Sequence, residues 1–120
     1  MGGKLRSALE VNGVMGTKVT DRLLLDSLDD TLREVLSEQF RIAFYNYLET
    51  GFSLPRTLIP DRLGDFQSVL SKALGPTGSA ILGKAVAKRL YLKLGLRFAE
   101  KPSYTLLQYI REAEITLQNR

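Results

Sequence analysis

Polar and apolar positions repeat at the period of an α-helix through most of this chain. From Leu28 the stripe runs through Leu32, Val35, Gln39 and Ile42 at steps of four and three, and Leu36, Phe40, Ala43 and Tyr47 widen it on one side. Asp30, Arg33, Glu34, Ser37, Glu38 and Arg41 share the opposite side. This pattern predicts one long amphipathic helix, capped at Asp26-Ser27 and ending near Glu49, with Gly51 as its stop. Asp29 and Asp30 fall in its first turn, where the helix dipole favours acids. Asp21 to Leu25 are helix-compatible and allow an earlier start.

Phe52 to Ile59, with Pro55 inside, reads as a connector, and Pro60 suits the first position of a second helix. There Leu63, Phe66, Leu70 and Ala73, with Val69 and Leu74, keep the period until Gly75-Pro76 ends it. A tight turn from Gly75 to Ser79, with Thr77 or Ser79 as cap, opens a third helix that runs to Leu94 and stops at Gly95. That helix has two apolar stripes. Val86, Leu90 and Leu94, with Gly83 and Ala87, form one; Ile81, Ala85 and Leu92 form another, bounded by Lys84 and Lys88 on one side and Arg89 and Lys93 on the other. Such a helix is expected to be packed on two sides, as the central helix or as one side of a subunit interface. Pro102-Ser103 opens a fourth helix with Ser103 as cap and Leu106, Ile110, Ala113 and Leu117 as its stripe, flanked by Leu107 and Tyr109.

No strand-like alternation is sustained, and no repeat is visible. The expected fold is all-α, an antiparallel bundle of about four helices at 20–120. A flexible N-terminal arm is expected at 1–19, where four of the ten glycines fall and no period holds. At 120 residues the chain is one domain's worth, able to bury about two thirds of its unfolded surface without disulfide or metal.

Composition narrows the chemistry. The chain has no cysteine and no histidine, which excludes a disulfide framework, a Cys/His zinc site, a thiol nucleophile, a Ser-His-Asp triad and imidazole catalysis. The acid pairs Asp29/Asp30, Asp61/Asp65 and Glu112/Glu114 sit at helix starts or diverge, and none lies in an apolar context that would raise its pKa to a working range. The expectation is therefore no enzyme, with no catalytic residue, metal ligand or cofactor. Gly78 to Lys84 spells GxxxxGK, but Ala85 stands where a Ser or Thr must hold magnesium, no strand precedes it, and the stretch is helical by periodicity. The turn before Ser79 offers only what every helix start offers an anion.

Two segments carry opposite charge. Asp26 to Glu49 has net −4, whereas Lys84 to Lys101 has net +5 and more than accounts for the overall +4. The basic segment suggests nucleic-acid contact through Lys84, Lys88, Arg89, Lys93, Arg97 and Lys101. A helix-turn-helix is not supported, because the third helix opens on Ala80-Ile81-Leu82-Gly83 rather than on base-reading Arg, Asn or Gln. The bland competitor is pairing of Arg89 and its neighbours with Glu34 and Glu38. Phe44, Tyr45 and Leu48 project outside the predicted stripe, either as a second candidate contact patch or beneath a Phe52–Ile59 connector that folds back over them. No apolar run is long enough to span a bilayer or serve as a signal, so a cytoplasmic location is expected. The leading functional expectation is a small helical protein–protein interaction module, self-associating as a homodimer through Ile81, Ala85 and Leu92 or through Phe44, Tyr45 and Leu48. Nucleic-acid binding is the alternative.

Overall fold

In the computed structural model, which describes residues 19–119, the chain is all-α, with no strand among those residues. α1 occupies 19–31 and continues into a widened π turn at Leu32–Leu36. α2 spans Glu38–Phe52, a 3₁₀ segment covers Arg56–Arg62, α3 runs Leu63–Leu94, and α4 is Leu106–Gln118. The expected arm at 1–19 lies outside the described residues except for Val19, which belongs to α1.

The bundle is helical as expected, but its helices are divided differently. The single helix predicted from Asp26 to Glu49 is two. Ser37 adopts an extended backbone, its N–H reaches five residues back to the Leu32 carbonyl at 3.0 Å, and its side chain caps α2 by accepting from the Phe40 N–H at 2.9 Å. That break resets the helical phase. Beyond it Phe44 and Leu48 turn inward with Phe40, while Ile42 and Tyr47, and Val35 and Leu36 in the π turn before it, all expected in the stripe, are exposed. Asp26-Ser27 is no cap either. Ser27 lies inside α1, where it and Thr31 are buried and satisfy their hydroxyls on carbonyls four residues back, both at 2.7 Å.

Gly51 does not stop α2. The helix ends one residue later, on Ser53 in the left-handed region with φ of 51°, and Leu54 follows into the core. Conversely, the predicted second and third helices are two arms of α3. Only Gly75 leaves helical geometry, with φ 76° and ψ 172°, and Pro76 restarts the helix at once. The arms at 63–74 and 76–94 are thus joined by a one-residue kink in place of the expected turn. Pro60 falls in the 3₁₀ segment rather than at a helix start. α4 begins at Leu106 under a capping box made by Thr105 and Gln108, not under Ser103.

The core gathers Leu24, Leu28 and Leu32 of α1, Phe44 and Leu48 of α2, and Leu54 and Ile59 of the connector. Against these pack Phe66, Leu70, Val86 and Leu90 of α3 and Leu106, Tyr109, Ile110 and Ala113 of α4. No helix among the described residues is long and apolar enough to cross a membrane.

Candidate interaction surface

The second arm of α3 positions the surface. Its inner side is held closely: Leu82, Gly83, Val86, Ala87, Leu90 and Tyr91 are buried. A Cβ on Gly83 would stand 3.3 Å from the Leu106 Cβ, so the missing side chain is what lets α4 start against it. The Tyr91 hydroxyl donates to the Tyr109 carbonyl at 2.7 Å, and burial pushes that phenol up to about 12. The arm ends on Gly95 in the left-handed region, whose N–H bonds to the Leu92 carbonyl while Leu96 N–H bonds to that of Tyr91.

The outer side is open. Leu92 is 80% exposed and Ile81 57%, with Ala85 half-buried between them. Of the two alternatives expected for this helix, the central position is therefore corrected: this chain's own helices do not cover the outer stripe. The packed helices collect on the inner half of its circumference, α4 at Gly83 and the end of α1 at Arg89 and Lys93, so no helix is left for the outer half.

Phe44, Tyr45 and Leu48 form no exposed patch. Phe44 and Leu48 are core residues, because the Ser37 break turned them inward and the connector from Ser53 folded back over them, with the Leu54 N–H on the Leu48 carbonyl at 3.1 Å. Tyr45 is half-buried and donates to Asp29 at 2.5 Å. Asp29 also accepts two bonds from Arg56, at 3.0 and 2.6 Å, so one carboxylate ties α1, α2 and the connector together. Burial pushes the Asp29 carboxyl up, but the hydrogen bonds from Arg56 and Tyr45 and the charges of Arg56 and Arg41 outweigh it and leave the carboxyl below the usual range. Burial and the Asp29 carboxylate together raise the Tyr45 phenol.

The six basic residues split. Arg89 holds Glu34 at 2.5 Å, Lys93 holds Asp30 at 3.4 Å, Lys84 holds Glu100 at 3.0 Å and Lys101 holds Glu112 at 2.7 Å. The acidic first helix is thus the counterweight for Arg89 and Lys93, though Glu38 turns to Arg41 and Arg33 instead. Lys88 and Arg97 have no carboxylate partner among the described residues. Beside Ile81 the chain leaves a hollow of about 100 Å³, bounded by Ile81, Lys84, Glu100, Pro102 and Tyr104. Sequence reasoning missed it, because its far wall is the irregular segment 96–105, where no period places a side chain.

The other chemistry is structural. Gly78 to Lys84 is helical throughout, and the Ser79 hydroxyl donates back to the Pro76 carbonyl at 3.1 Å. Asp65 sits in the first turn of α3 paired with Arg62. Asp21 is raised by burial and by the charges of Asp61 and Glu114. No group of three or more carboxylates placed to hold a metal occurs among the described residues. Comparison of the chain with known family models, curated proteins and solved structures gives no match.

Proposed function

We infer that this chain is a helical protein–protein interaction module that associates through Ile81, Ala85 and Leu92, with a second copy of itself as the partner. The observation that carries this is the exposure of Leu92 and Ile81 on a helix whose other side is fully packed. A leucine and an isoleucine left in water each forgo about 1.5–3 kcal/mol of burial. In a two-fold dimer each occurs twice, for a gross gain of about 6–12 kcal/mol against an association cost of about 4–15 kcal/mol. These ranges allow a surplus of about 5 kcal/mol, which corresponds to a dissociation constant near 100 µM, a weak and reversible homodimer. The nucleic-acid reading has less support, since four of its six cations already hold carboxylates.

Light scattering across a concentration series tests the reading. Its average mass rises toward twice the 13.4 kDa of one chain as the concentration approaches about 100 µM. Leu92→Glu returns it to one chain's mass without altering the circular dichroism. A wild-type mass that stays at one chain throughout refutes the homodimer.

A further inference from the structure

The outer stripe has a symmetry of its own. Ile81 and Leu92 are eleven residues apart, which returns them to one helical face within about 20° and separates them by about 16 Å along the axis. Ala85 and Lys88 lie at equal distances inside those ends. Set two copies antiparallel about a point midway between Ala85 and Lys88, and Ile81 of each meets Leu92 of the other. Ala85 then meets the aliphatic stem of Lys88, a small residue against a long one. A two-fold interface needs this kind of pattern, in which residue i contacts j and j contacts i.

Two features at the ends of the stripe complete the fit. The hollow beside Ile81, walled by Pro102 and Tyr104, lies where Leu92 of the second copy arrives. Glu100 lines the same hollow with its side chain 58% exposed while paired to Lys84, and Lys88 has no carboxylate partner among the described residues. On the basis of the protein-binding reading above, we propose that two copies pair through antiparallel second arms of α3, each seating its Leu92 in the other's Ile81–Tyr104 hollow and presenting its Lys88 to the other's Glu100. Residues 1–18 are a poorer occupant of this face, since Lys4, Arg6 and Lys18 against the single Glu10 repeat the charge of Lys88.

The absence of cysteine makes the register directly measurable. Ile81→Cys and Leu92→Cys are prepared as separate full-length chains, distinguished by mass tags, and oxidised alone and mixed. Antiparallel pairing puts positions 81 and 92 opposite each other but leaves like positions about 16 Å apart, far beyond the ~7 Å a disulfide spans between Cα atoms. The mixture therefore yields the mixed disulfide, at least tenfold over either like pair, and Lys88→Glu raises the dimer dissociation constant about tenfold. Like pairs dominating the products overturn the antiparallel register while leaving the homodimer intact. A dimer by light scattering that forms no disulfide at either position overturns the site. An unchanged dissociation constant for Lys88→Glu overturns the Glu100 contact, and a wild-type chain that stays monomeric overturns this proposal together with the reading beneath it.

Discussion

The two sides of the second arm of α3 carry side chains of equal hydrophobicity and opposite fates. Leu90 is fully buried, and Leu92, two residues on, is the most exposed large apolar residue described. The difference lies in the neighbours. α4 starts against Gly83, the end of α1 lies along Arg89 and Lys93, and both approach the same side. Folding thus packs one stripe completely and leaves the other exposed. The distinction has a measurable form, because inner-side changes should act on the stability of one chain and outer-side changes on the contact between chains.

The largest effect is expected at Leu90. Truncating it to alanine removes apolar contacts from a fully buried position and leaves a cavity, a loss of about 2–5 kcal/mol. Urea unfolding at low protein concentration measures it as a fall in midpoint at unchanged slope. A loss below about 1 kcal/mol would place Leu90 in the class of Leu92 and remove the contrast.

A matched pair sharpens the comparison. Gly83→Val pushes a branched side chain into Leu106, whose Cβ already stands 3.3 Å from where the first carbon would go, and should cost about 1–3 kcal/mol. Ala85→Val, two residues away on the outer side, should cost no more than about 0.5–1 kcal/mol in the same low-concentration unfolding experiment, chiefly the lower helix propensity of a β-branched residue. Equal losses at the two positions would mean that the outer side is packed as well.

Ion pairs repeat the contrast at lower energy. Asp29 receives Arg56 and Tyr45 in a half-buried junction, whereas Lys84 and Glu100 meet with 44% and 58% of their side chains exposed. Asp29→Asn is expected to cost about 1–2 kcal/mol at neutral pH, allowing for solvent screening at Arg56, and Lys84→Gln at most about 0.5 kcal/mol. Because the folded-state pKa of Asp29 is lowered, its contribution is complete above the unfolded value near 3.8 and is lost as pH falls through the folded value. Urea midpoints from neutral pH downward should therefore converge for wild type and Asp29→Asn below about pH 4. Glu112, lowered by its hydrogen bond from Lys101, loses its contribution in the same acidic direction, so the variant keeps a reduced slope rather than none. A gap that persists unchanged to acid pH would show that Asp29 acts through packing alone.

The elements differ in how far residue pattern alone revealed them. Helical character and the inner stripe of the second arm were legible, because Val86, Leu90 and Gly83 meet packed neighbours at regular spacing and the period reports that directly. The break at Gly75 was legible as well, since glycine and proline enforce it locally. Ser37 was not. Leu32 to Phe40 contains no glycine or proline, and the break is made by a long-range demand that Leu28 and Leu32 as well as Phe44 and Leu48 reach one core, which a continuous phase cannot meet. The same phase error made Phe44 and Leu48 look external. The Ile81–Ala85–Leu92 stripe was visible as a second apolar face, but periodicity gives only the face and not its occupant. The central position, one of the two alternatives expected, fails because α4 and the end of α1 both pack on the inner side. The hollow stayed invisible because an irregular segment walls it.

The smallest expected effect on a single chain bears most on the proposed contact. Leu92→Ser replaces a side chain that is mostly in water already, so low-concentration urea unfolding should place it within about 0.5 kcal/mol of wild type. The separation appears only with concentration. Dimerisation binds the folded chain and not the unfolded one, so the wild-type melting temperature should climb as protein concentration rises, while that of Leu92→Ser stays level. Leu90→Ala should show the reverse, a lower melting temperature at every concentration with the wild-type slope retained, because its defect lies inside one chain. A wild-type melting temperature independent of concentration, or a Leu92→Ser variant that keeps the slope, would mean that the outer stripe is not where the copies meet, even though Leu92 and Leu90 differ so completely in burial.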